Sequence, residues 1–132
     1  VVLTVFDGSI WRTGNAVSNE MGQKEVANFS PEEFCCACCG EFYYDAKAFD
    51  AIQYLRRAVG KPVVINSAHR CVLHNARSGG APRSMHKLIA FDVPLRGHRL
   101  VDLLFAARKV GFTGYGFYAT FLHLDLAAED FG

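Results

Sequence analysis

The stretch "GFTGYGFYATFLHLDL", residues 111–126, constrains the fold more than any other part of the chain. It alternates glycine with aromatics, then apolar residues with His123 and Asp125. A period of two belongs to β-structure, because successive side chains on a strand leave opposite faces. The spacing predicts two antiparallel strands joined near Ala119 and Thr120. Leu122, Leu124 and Leu126 then turn to the core, while His123 and Asp125 leave the other face together.

Helical patterns stand upstream. After Asp45, the residues Ala48, Phe49, Ile52, Leu55 and Val59 recur at helical period, and Gly60 stops the run. "HRLVDLLFAARKVG" reads as a second amphipathic helix ended at Gly111. In "NFSPEEF", Ser30 can cap, Pro31 suits the first helical position and Glu33 completes a capping box, so a short helix ending by Gly40 is expected. "PVVIN" and "IAFDVPL" have strand character. Between them, "SAHRCVLHNARSGGAPRSMH" is long, polar, basic and glycine-rich, and loops of that kind inside a compact domain are usually functional or disordered. Residues 1–27 show one apolar run, Val1 to Phe6, and no clear period, giving an amino-terminal strand and a loose loop ahead of a domain over residues 28–132. With 132 residues the chain fits one domain. The expected class is α+β, a small antiparallel sheet flanked by helices.

Fourteen Lys and Arg nearly balance thirteen Asp and Glu, yet residues 56–109 hold eleven basic residues against Asp92 and Asp102. The imbalance reads either as a solvated face or as a cleft for an anionic substrate. No basic run is interleaved with stacking aromatics, which argues against nucleic acid. No apolar stretch is long enough for a membrane span, and the amino terminus lacks the basic and apolar regions of a signal peptide. A soluble protein is expected. Four of the five cysteines crowd into "CCACCG", residues 35–40. A zinc ribbon would need a second ligand pair at matching spacing, so buried thiols in a reducing compartment are expected, with one bridge to Cys71 as an alternative. A rival reading makes this cluster the metal site of a redox or zinc-binding interaction protein.

The candidate chemistry lies on the strands. If "IAFDV" pairs with "LHLDL", Asp92 joins His123, and His86 at the end of the basic loop can reach back. Two imidazoles and one carboxylate suit Zn²⁺ and leave a fourth position for water. The same residues at strand ends also serve as ordinary hydrogen-bonding groups. His69 and His74 could line the cleft or be satisfied loop histidines, and His98 reads as a surface or capping residue. Trp11, Tyr115 and Tyr118 could be sugar or peptide platforms, or core residues with a polar tip.

Taken together, "NSAHRC", "HN", "GGAPRSMHKLIAFDV" and "GFTGYGFYATFLHLDL" resemble the zinc D-Ala-D-Ala peptidases of the M15 kind, particularly the small phage and bacterial cell-wall members with the hedgehog/DD-peptidase fold. The resemblance covers about residues 28–127. It implies zinc ligands at His86, Asp92 and His123. It also implies that Arg70 holds a substrate carboxylate or carbonyl, that Ser84 hydrogen-bonds substrate near the metal, and that Gly79 and Gly80 let the loop backbone approach it.

Two departures from the family pattern stand out. Five residues separate His86 from Asp92 where the pattern has six, as though a glycine had been lost between Leu88 and Ile89. Thr120 occupies the position, three residues before the last histidine, where many relatives carry a Glu or Asp that activates water. Asp125 is the substitute candidate for the catalytic base, or else a residue that orients an imidazole. The expected function is a monomeric, zinc-dependent peptidase hydrolysing amide bonds in peptidoglycan stem peptides, of the carboxypeptidase or endolysin type. It would act at the cell wall as a phage lysin or an exported bacterial protein. The alternative is a catalytically inactive cell-wall-binding or structural domain of the same fold.

Overall fold

The computed structural model describes residues 9–11, 28–80, 84–87 and 89–127. The apolar run Val1 to Phe6 lies outside the described residues. Strand β1, Ser9–Trp11, pairs antiparallel with β2, Phe42–Tyr44. Helix α1, Ala46–Val59, follows directly. A short helix α2, Val72–Arg77, and a single 3-10 turn, Met85–Lys87, lead to β3, Phe91–Pro94. Helix α3, Leu100–Val110, precedes the hairpin of β4, Gly114–Phe117, and β5, Phe121–Asp125. The second sheet has the order β3-β5-β4, all antiparallel, with β5 in the centre.

The two long helices begin and end where local chemistry directs. The Asp45 side chain accepts from the Ala48 N–H at 3.2 Å, satisfying one donor that the first turn of α1 leaves free. Gly60 and Gly111 take left-handed backbone and close α1 and α3. Ala48, Phe49, Ile52 and Leu55 of α1 are buried with Leu103 and Ala107 of α3. They share one core with Phe91 and Val93 of β3 and with Leu122 and Leu124 of β5. Phe34 sits at the centre of that core, its ring 4.7 Å from Phe49 and 6.0 Å from Phe91. One face of the sheet is thereby consumed by packing, and the other carries Asp92, His123 and Asp125.

Three expectations are corrected. "PVVIN" is not a strand: Val63 and Ile65 are buried and Val64 exposed, but the backbone bonds to β3 come at the segment's end, from Asn66 and the following Ser67. The Asn66 N–H donates to the Asp92 carbonyl, and the Asp92 N–H to the Ser67 carbonyl, both at 2.9 Å. The helix after Ser30 is a single 3-10 turn, Pro31–Phe34, with the Glu33 carboxylate accepting from the Ser30 N–H at 2.7 Å. The basic loop contains α2, whose Val72 and Leu73 face solvent and so gave no apolar period to read. Basic residues also fill the last turns of the long helices, Arg56 and Arg57 in α1 and Arg108 and Lys109 in α3. Cations there complement the carbonyl ends of the helices, which explains part of the charge imbalance without a substrate.

Candidate metal centre

Asp92 and His123 are cross-strand partners in the β3–β5 register. The Asp92 backbone spends both of its hydrogen bonds on Asn66 and Ser67, on the side away from β5. The pair is therefore a non-hydrogen-bonded one, the kind whose Cα atoms lie closer, at about 4.5 Å, with side chains nearly touching. The Asp92 Oδ1 atom is 3.0 Å from His123 Nδ1.

His86 arrives from the 3-10 turn. Its backbone is pinned on both sides, the N–H donating to Ser84 Oγ at 3.2 Å and the carbonyl accepting from the Arg70 N–H at 2.5 Å. Its Nε2 lies 3.0 Å from Asp92 Oδ1 and 3.2 Å from His123 Nδ1. The five-residue spacing is thus accommodated by the turn, with no separation of the pair.

Both imidazoles are fixed from behind. The His86 Nδ1–H donates to the Ala68 carbonyl at 2.6 Å, which leaves Nε2 as the lone-pair nitrogen. The His123 Nε2–H donates to Asp125 Oδ2 at 2.8 Å, so that in the neutral ring the lone pair falls on Nδ1. Two lone pairs and one carboxylate oxygen therefore converge on one point. A tetrahedral zinc ion with bonds of about 2.0–2.1 Å needs donors about 3.3 Å apart. The observed triangle of 3.0, 3.0 and 3.2 Å matches that requirement. The outer partners are those that metal-ligating histidines characteristically have.

The charges agree. Burial pushes the Asp92 carboxyl up, but hydrogen bonds and charge from His123 and His86 outweigh it and hold the group at about 2. Burial pushes His123 down, yet Asp125 and Asp92 together raise it to about 9. Burial pushes Asp125 up as well, but hydrogen bonds from His123 and the Ala127 N–H outweigh it and hold the carboxyl below the usual range.

A family model described as Peptidase M15 matches residues 25–125. The chain belongs to the M15 peptidase family. Membership implies the hedgehog/DD-peptidase fold, a peptide substrate and metal-dependent hydrolysis, and the three converging donors supply a possible metal site. No curated protein and no solved structure matches the chain. Among the described residues, no helix of this M15 member is long and apolar enough to cross a membrane.

The other expected site residues of this M15 chain fall nearby or elsewhere. The Arg70 guanidinium donates to Ser84 Oγ at 3.1 Å, and its buried Nε has no hydrogen-bond partner among the described residues. Arg70 also lines a groove of about 620 Å³ shared with Glu32, Ser67, His69 and His74. Gly79 and Gly80 close α2. A Cβ on Gly80 would lie 2.2 Å from Asn75 Oδ1, so close packing already requires that glycine. His69 is buried against Glu41 at 2.8 Å, and His98 donates to the Pro62 carbonyl at 3.0 Å. Tyr115 donates its hydroxyl to the Phe112 carbonyl, a core residue with a polar tip. Tyr118 is exposed and stacked on Phe121, centroids 4.4 Å apart. The side chain of Trp11 lies outside the described residues.

Sequence reading missed two supports. Gly114 and Gly116 stand directly opposite Asp125 and His123. A Cβ on Gly114 would sit 1.8 Å from Asp125 Oδ1, and one on Gly116 would sit 3.0 Å from the His123 Cβ. Period-two glycines facing a period-two His and Asp were the available signal. The thiols are a correction: Cys36 alone is buried, Cys35 and Cys71 are half-buried, and Cys38 and Cys39 are exposed.

Proposed function

We propose that this chain is a zinc-dependent peptidase that hydrolyses an amide bond in the peptide stems of peptidoglycan. The observation that carries the reading is the convergence of His86 Nε2, Asp92 Oδ1 and His123 Nδ1, with each imidazole oriented by an oxygen behind it. Zinc held there would supply a positive charge to polarise the scissile carbonyl and to make water acidic enough to act near neutral pH.

The protein's own groups do the rest. Asp92 contributes the negative charge of the ligand set and is ionised at any working pH. Arg70 is held by Ser84 next to His86 and lines a groove; a substrate carboxylate or carbonyl is the group that a planar guanidinium suits best. Ser84 accepts from both Arg70 and the His86 N–H, which leaves its own hydroxyl hydrogen to donate to the peptide. Of the two roles open to Asp125, its hydrogen bonds favour orientation: Oδ2 is taken by His123 and Oδ1 by the Ala127 N–H at 2.9 Å.

That same engagement of Asp125, with Thr120 at the usual place of the base, favours a second reading, a cell-wall-binding domain that has lost catalysis. Purified sacculi incubated with the zinc-loaded protein separate the two. Release of stem-peptide fragments, abolished by His86→Ala, supports the peptidase. Stoichiometric zinc and binding to sacculi without cleavage supports the binding domain, and failure to bind zinc at the histidines sinks the peptidase.

A further inference from the structure

A second donor cluster lies away from the imidazole centre. The Sγ atoms of Cys36, Cys38, Cys39 and Cys71 all lie within 4.8 Å of one another. Cys38 Sγ is 3.5 Å from Cys36 Sγ and 3.4 Å from Cys71 Sγ. A disulfide would need about 2.05 Å, whereas four thiolates around one zinc ion, with bonds of about 2.3 Å, lie about 3.8 Å apart. The sulfurs are grouped at coordination distance, and hydrophobic burial does not account for it, because Cys38 and Cys39 are exposed.

The backbone turns a donor toward them. The His74 N–H donates to Cys71 Sγ at 3.4 Å. The local chain is shaped for this: residues 37–39 form a turn closed by the Gly40 N–H to the Cys36 carbonyl at 2.9 Å and by the Cys36 N–H to the Glu41 carbonyl at 2.6 Å. Cys35 points instead into the apolar core and stays outside the cluster.

We infer that Cys36, Cys38, Cys39 and Cys71 form a closed four-thiolate zinc site, distinct from the imidazole centre and structural in role. Four thiols bind one Zn²⁺ and release four protons, with no change of oxidation state. All four positions of a tetrahedral ion are filled by protein, so the site has no place for substrate. Its effect is positional: it ties the turn at residues 36–40 to Cys71, the neighbour of Arg70, beside the clamp that His69 and Glu41 make at 2.8 Å. The segment that presents Arg70 to the site is thereby held at two points.

The test is a Co²⁺ titration of the reduced, metal-stripped full chain, read by absorbance. Two equivalents are expected, one of them with a thiolate-to-cobalt charge-transfer band. The double variant His86→Ala/His123→Ala should lose one equivalent and keep the band; Cys36→Ser/Cys71→Ser should lose the band and keep the other equivalent. A band absent from the parent protein, or surviving in the cysteine variant, overturns the inference. Alkylation covers a cysteine variant that fails to fold: in the parent chain, zinc should protect four thiols and leave Cys35 unaffected by the metal. Equal reactivity with and without zinc, or a Cys38–Cys71 disulfide isolated with no thiol-bound metal, overturns it as well.

Discussion

The two donor clusters are built in opposite ways. His86, Asp92 and His123 stand on or beside a sheet, and two of the three are fixed by strand register. Cys36, Cys38, Cys39 and Cys71 come from a turn and from a residue more than thirty positions away, fixed by loop hydrogen bonds. In the first cluster three donors converge and each imidazole is supported from behind, which suits an ion that must keep a position open. In the second, four like donors enclose the point between them. Register gives geometry with an open side, and a knuckle of chain gives closure; an open site suits chemistry and a closed one suits structure.

The sharpest way to break this contrast is to remove a ligand. His123→Ala should abolish zinc binding at the open site and reduce hydrolysis of sacculi by about 10³-fold or more, because the loss amounts to several kcal/mol of transition-state stabilisation. Thiol-bound metal should be unaffected. Cleavage near the parental rate in this variant would remove the imidazole centre from the mechanism.

A smaller change tests the support behind the ligands. Asp125→Ala should weaken zinc about 10- to 100-fold, with activity following occupancy and returning at saturating metal. Asp125→Asn, which keeps an acceptor for the His123 N–H, should recover part of the loss. If Asp125 is instead the base, zinc affinity stays and activity fails even at saturation.

Gly114→Ala probes the same support through space. The added Cβ must displace the Asp125 carboxylate, whose Oδ1 would be 1.8 Å away, at a cost of about 1–3 kcal/mol in denaturant unfolding. Gly116→Ala, with contacts at 3.0 Å, should cost less. Parental stability in both variants would mean that the strand can shift and that the register is not what fixes the site.

The gentlest probe is pH on the metal-free chain. His123, raised to about 9 from 6.5, stabilises the fold fully below pH 6.5 and loses that contribution as pH rises through 9. Asp92, lowered from 3.8 to about 2, contributes above pH 3.8 and loses it as pH falls through 2. Stability of the metal-free chain should therefore be greatest between these limits, and zinc binding at pH 7 should release a proton from His123. A flat profile across pH 6.5 to 9 would show that His123 lacks its two carboxylate partners.

Much of the fold was legible. Helices α1 and α3 announce themselves by period, by Asp45 and by terminal glycines, and the β4–β5 hairpin by its alternation. "PVVIN" misleads because β-branched composition reports burial and extension, while a ladder needs a partner in register, and the bridge that forms, Ser67 with Asp92, lies just past the segment. The alternation likewise put His123 and Asp125 on one face. What stayed hidden depends on contacts between distant segments: the Ala68 carbonyl behind His86, the Gly114 opposite Asp125, and Cys71 beside Cys38. Each is a pairing of residues that no local pattern links.

The imidazole centre stands or falls on where a metal ion sits. Anomalous diffraction at the zinc edge from crystals of the zinc-loaded protein should show a peak about 2.0–2.2 Å from His86 Nε2, Asp92 Oδ1 and His123 Nδ1. A map with no peak at that position, whatever it shows among the cysteines, would contradict the account.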